Sequence, residues 1–152
     1  MARETDLQRL RETGSCPRGD LKGADLAGHN LSRADLSWAD LEGANLEGAI
    51  LRDATLAWTG FGKAVLANVD FSGAKLFHVD FKDAIMVEAR LDRTELAFVS
   101  LAGADLTRAS LVDAELVLTD LKEAVLTNAI MPDGNRYQEV PEPALPDEED
   151  LP

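Results

Sequence analysis

A single cysteine, Cys16, stands among 152 residues, so no disulfide can form within the chain. That suits a reducing compartment. Basic residues are scarce as well: 15 Lys and Arg face 28 Asp and Glu, a net charge of −13. Such a surface repels phosphates, which argues against direct nucleic-acid binding and against an anionic membrane. It leaves open a basic protein partner or imitation of nucleic acid. No apolar run approaches the ~20 residues that cross a bilayer. The opening stretch MARETDLQRLRETG carries charges where a signal peptide has its apolar segment. The expectation is a cytoplasmic, bacterial, acidic protein of one domain.

The chemistry of active sites is equally sparse. Two histidines are present, His29 and His78, and neither belongs to a cluster with metal-ligand spacing. No glycine-rich phosphate loop follows a strand; the glycines recur at word ends instead. No catalytic residue, metal ligand or cofactor is expected, and the chain is read as a binding protein rather than an enzyme.

What the chain does have is a period. Stepping by five from Leu21 to Met131 visits 23 positions, all apolar: 18 Leu, three Phe (Phe61, Phe71, Phe81) and two Met. Two positions before each centre, 15 of the 23 residues are Ala, and the position just before it is often Asp or Asn. A helix cannot use this spacing, because five steps of ~100° smear the leucines around the cylinder. A flat strand fails too, because odd spacing alternates faces. The chain must turn a corner every five residues, with Ala and Leu inward and the residue between them outward. Stacked turns then bury one layer on the next. His29 falls on an inward position and is read as a hydrogen-bonded core residue.

The words ADLAG, ADLSW, ADLEG and ANLEG resemble those of the pentapeptide-repeat proteins, and the resemblance covers residues 19–131. It implies an all-β, right-handed quadrilateral β-helix with one word per side and four per coil, just under six coils in length. The sequence agrees with four sides, since Trp38 and Trp58 lie twenty apart, as do successive members of the column Asp20, Asp40, Gly60, Asp80. At ~4.8 Å per storey the rod is roughly 27 Å long. Residues 1–18 are expected to form a cap with a short helix over 5–13, Thr5 as its N-cap and Gly14 as its stop. Cys16 sits in a flank similar to that of relatives but lacks their second cysteine, so it is read as a buried or capped free thiol. Residues 132–152, opening with MPDGNRY, are expected to leave the repeat as a disordered, acidic, proline-rich tail.

Sorted by side, the words are not alike. Sides one, two and three start from Leu21, Leu26 and Leu31. Side four starts from Leu36 and reads ADLSW, ATLAW, AKLFH, TELAF, AELVL. It gathers both tryptophans and both phenylalanines that are not word centres. Trp38, Trp58, Phe77, His78, Phe98 and Leu118 are therefore the expected partner-binding residues, a ladder of aromatic and apolar groups facing an unidentified protein or a second copy. Cover by the chain's own tail and stacking without a partner are the other readings of this ladder. Val65, Ile85 and Val87 on side two form a smaller patch. A competing function, implied by the resemblance, is a nucleic-acid mimic that binds or inhibits a DNA topoisomerase. Net charge supports it, while Lys22, Lys63, Lys82 and Lys122 interrupt the acidic side.

Overall fold

The structure is a computed structural model that describes residues 1–139. Every parallel bridge joins residues twenty apart, from Asp20↔Asp40 through Ser110↔Ile130, so a coil is twenty residues and has four sides. Three bridges widen into short strands, β1 (Lys75–Phe77), β2 (Glu95–Ala97) and β3 (Glu115–Val117), which pair in parallel in the order β1-β2-β3. All three lie on side four.

The five-residue word follows from where its backbone N–H groups go. The centre and the residue two beyond it donate to the next coil, as Leu21 does to Asp40 and Gly23 to Glu42 (2.8 and 2.9 Å). The residue before the centre donates back one coil, as Asp40 does to Gly19. The third residue beyond the centre closes the corner, as Ala24 does onto Leu21. One N–H remains, directly after the centre. The Asp or Asn before the centre accepts it: Asp35 takes Ser37, Asn45 takes Glu47 and Asp80 takes Lys82, at 2.9, 3.1 and 2.8 Å.

The corner residue itself lies in the left-handed region throughout, from Arg18 to Asn128. A turn with positive φ at its third residue favours Gly or Asn. This chain nevertheless sets Trp38, Trp58, His78, Phe98 and Leu118 there, with φ between 50° and 64°.

Corner tightness is set by the small inward residue that follows. Where it is Ala, the closing hydrogen bond is 2.8–3.2 Å. Where it is the branched Thr59, Val69 or Thr94, the bond stretches to 3.3 Å. At Val79, Val99 and Thr119 no closing bond forms, and these are the three corners with strands β1–β3. The bulkier Cβ spreads the turn, and the chain becomes extended through Phe77, Ala97 and Val117. The Thr119 hydroxyl donates to the freed Leu96 carbonyl at 3.1 Å, which keeps that oxygen satisfied.

The core is the stack of Ala and Leu layers, with Phe61, Phe71 and Phe81 fully buried at its middle. Helix α1 (Glu4–Thr13) closes the N-terminal end, burying Leu10 and packing Leu7 on the core. Its N-cap is Arg3 without a side-chain hydrogen bond, not Thr5, because Arg3 N–H is held by the Asp20 carbonyl and its own carbonyl takes Asp6 and Leu7. Gly14 ends it in the left-handed conformation, donating to Leu10.

Cys16 is fully buried, and it is a word centre: it stands five residues before Leu21 and donates to Asp35 as Leu36 donates to Thr55. Arg9 donates to its sulfur from two nitrogens, at 3.0 and 3.3 Å, and the thiol reaches the Asp6 carbonyl at 3.4 Å. That sulfur contact raises Arg9 above its ordinary value. His29 is exposed rather than in the core, its Nδ1 3.2 Å from the Ala27 carbonyl. An imidazole does not fit an alanine-sized slot, and α1 covers the Cys16–Asp20 part of this end and leaves no layer beneath His29.

At the other end Pro132–Gly134 turns the chain, and Arg136 pairs antiparallel with Ile130. Most of the expected tail, residues 140–152, lies outside the described residues.

Candidate functional site

Side four brings its rings into one column. Trp38 and Trp58 stack with centroids 4.9 Å apart, Trp58 and His78 at 4.0 Å, and His78 and Phe98 at 4.7 Å, with planes within 10°. The twenty-residue register and the shared corner conformation impose this. Each ring leaves the backbone at the same angle one storey above the last, so planes align. Phe77 stands beside the column and meets His78 and Phe98 edge-on, at 4.5 and 5.7 Å. Leu118 continues it beyond Phe98 and is 72% exposed, while Trp38 is 55% and Trp58 44% exposed. All six residues singled out from the sequence thus lie along one edge. Val117, half-exposed next to Leu118, joins them. The lesser patch on side two is less continuous: Ile85 is exposed, Val65 and Val87 are half-buried, and Asp105 follows Ile85 in the same column.

A groove of about 590 Å³ runs alongside the two indoles on side one, lined by Trp38, Trp58, Asp40, Gly60, Gly62 and Asp80 among others. The sequence marked Gly60 only as a break in the Asp column. The groove arises because the neighbouring storeys carry side chains where Gly60 and Gly62 have none. At its margin Lys22 bridges Asp40 and Glu42, at 3.2 and 3.5 Å, and both carboxylates raise Lys22 above its ordinary value. On side three, burial alone would push Asp70 up, but hydrogen bonds from Ser72 and the Arg52 guanidinium prevail and hold it below its ordinary value.

Among the described residues no group of His, Cys, Asp and Glu is arranged to hold a metal ion. No helix of the described residues is long and apolar enough to cross a membrane. The arrangement offers apolar, flat, half-exposed contact area beside a charged groove, which is chemistry for adhesion.

The family model for pentapeptide repeats matches residues 20–57, 58–93 and 89–128. Among solved structures, the chain is similar to Rfr23 from the cyanobacterium Cyanothece 51142, with TM-score 0.65 and 21% identity over 88% of this chain and 98% of that one. It is also similar to HetL from Nostoc sp. strain PCC 7120, a pentapeptide-repeat protein involved in heterocyst differentiation regulation, with TM-score 0.58 and 27% identity over 81% of this chain. The match spans 64% of the HetL chain. No curated protein matches closely enough to count as a relative. With the twenty-residue coil, the left-handed corners and this match running through most of its length, the chain belongs to the pentapeptide-repeat family.

Proposed function

We propose that this protein is a non-catalytic scaffold that binds a protein partner through the aromatic edge of side four. The observation that carries the reading is the unbroken exposed ladder of Trp38, Trp58, His78 and Phe98, built at corners that favour glycine. A left-handed backbone disfavours a bulky residue by roughly 1–2 kcal/mol. Ring stacking returns about 0.5–1.5 kcal/mol per pair. The two nearly cancel, so the fold gains little from these side chains, and a role in contact accounts for them better than stability does.

The test is affinity capture with wild type and with the Trp38→Ser, Trp58→Ser double variant, alongside light scattering on both. Partner capture by wild type that the double variant loses supports the reading. A double variant that captures the same partner equally well removes it. A dimer that the double variant dissociates would make the partner a second copy.

The competing reading, an acidic rod that imitates nucleic acid for a topoisomerase, draws on the net charge of −13. Its Asp ladder on side one passes through Gly60 and Ser100, and Lys22 neutralises the Asp40 and Glu42 storey. Inhibition of supercoiling at tens of micromolar would reverse the preference.

A further inference from the structure

Glycine is required at nearly every described position where this chain uses it. Gly14, Gly23, Gly28, Gly43, Gly48, Gly73, Gly103 and Gly134 have positive φ. At Gly19 an added Cβ would lie 2.4 Å from the Cys16 sulfur. Gly60 and Gly62 are different. Neither has a left-handed backbone; a Cβ at Gly60 meets nothing within 4 Å, and one at Gly62 comes no nearer than 3.8 Å, to the Lys82 carbonyl. A side chain would fit at both, and a residue with a Cβ would be less disordered when unfolded. The fold asks for neither glycine.

These two glycines are the floor of the groove beside the indoles. Gly60 bridges Asp40 on one storey and Asp80 on the other, so the missing side chains open a notch between two carboxylates about 10 Å apart along the rod. Trp38 and Trp58 wall it on one corner, and Lys63 stands at the next corner. The charged lining is Asp40, Glu42, Asp80 and Asp83 against Lys63 and Lys82, four acids to two bases. Lys22 already occupies Asp40 and Glu42, whereas Asp80 has no ion-pair partner among the described residues.

We infer that this notch is the anchor pocket for an arginine side chain of a protein partner. The inference rests on the protein-binding reading of side four and names the chemistry it recognises. A guanidinium is flat and weakly hydrated, so it stacks on an indole face, and its fork of N–H donors reaches a carboxylate at the same time. An ammonium does the first poorly and the second only as a point charge. The acidic surface of the chain draws cations toward the site.

Trp38 and Trp58 are the only indoles in the chain, so tryptophan emission reports on this site. The probe is the peptide acetyl-Gly-Arg-Gly-amide, titrated beside its lysine, citrulline and glutamate counterparts. Wild type should give a saturable emission change with the arginine peptide, about fivefold weaker or more with lysine, and none with citrulline or glutamate. Filling the notch with Gly60→Val and Gly62→Gln should weaken the arginine response about tenfold or more while leaving the melting temperature unchanged or higher. Asp80→Asn, which leaves the notch open, should weaken it several-fold. Equal responses to arginine and citrulline, a preference for glutamate, or an undiminished response in the filled variant would overturn the inference. The partner itself separates the two levels. If the filled variant captures it while Trp38→Ser, Trp58→Ser does not, the notch fails and the aromatic edge stands; if both variants capture it, both readings fall.

Discussion

This protein stacks aromatic rings twice, once inside and once outside. Phe61 and Phe81 stack in the core at 5.2 Å, and Phe71 reaches them edge-on at 5.9 and 5.6 Å. Phe71 comes from side three and the others from side one, so rings approaching from opposite walls interlock. On side four all rings leave the same corner in the same direction, and they can only lie parallel. The inner rings have no contact with water, while the outer ones keep about half their surface in it. The inner stack is explained by burial alone. The outer one is not, and that difference is why function is sought there.

The comparison breaks first at the core. Leu66→Asp places an unpaired carboxylate in a sealed layer and should abolish the cooperative unfolding transition, followed by circular dichroism in urea. Phe71→Ala should destabilise by about 3–5 kcal/mol, whereas Phe98→Ala on the outer column should cost about 1 kcal/mol or less in the same denaturation experiment. Equal losses would mean that the outer stack is structural after all.

At the N-terminal end, Gly19→Ala should cost about 1–3 kcal/mol through its clash with Cys16, and Cys16→Ala in the same chain should recover part of it. A double variant no better than Gly19→Ala alone would show that the sulfur is not the obstacle. For the buried carboxylate, the folded protein holds Asp70 below its ordinary 3.8. Its contribution is therefore full above that value and is lost as pH falls through the lower, folded one. Asp70→Asn should be about 1 kcal/mol less stable at neutral pH and lose less stability between pH 4 and pH 2, in paired thermal melts. The smallest effect is expected at the outer corner. Trp58→Gly relieves a left-handed backbone as it removes a stack, so its stability should lie within about 1 kcal/mol of wild type.

Much of the fold was legible because each requirement repeats. The Leu and Ala periods, the Asp or Asn that takes the leftover N–H, and the twenty-residue columns are local demands met once per word. The six residues of the outer edge could be named for the same reason, since a fixed period converts sequence spacing into spatial neighbours. The exceptions are positions where one copy departs from its neighbours. Cys16 as a further centre was visible in principle, five residues before Leu21, but a cysteine does not announce a leucine's slot. His29 has the spacing of a core residue without a layer beneath it. The opened corners after Phe77, Ala97 and Val117 depend on a single extra methyl or hydroxyl at Val79, Val99 and Thr119, a difference of a few tenths of an ångström summed across a turn.

By itself the sequence determined the square coil, its pitch and which residues share an edge, because a five-residue backbone cycle admits few geometries and every word votes for the same one. Only the tertiary structure decided that the rings stand half in water, that two glycines have no conformational need to be glycine, and that their absence of side chains makes a notch. Those are properties of the space between storeys, and no single word contains them.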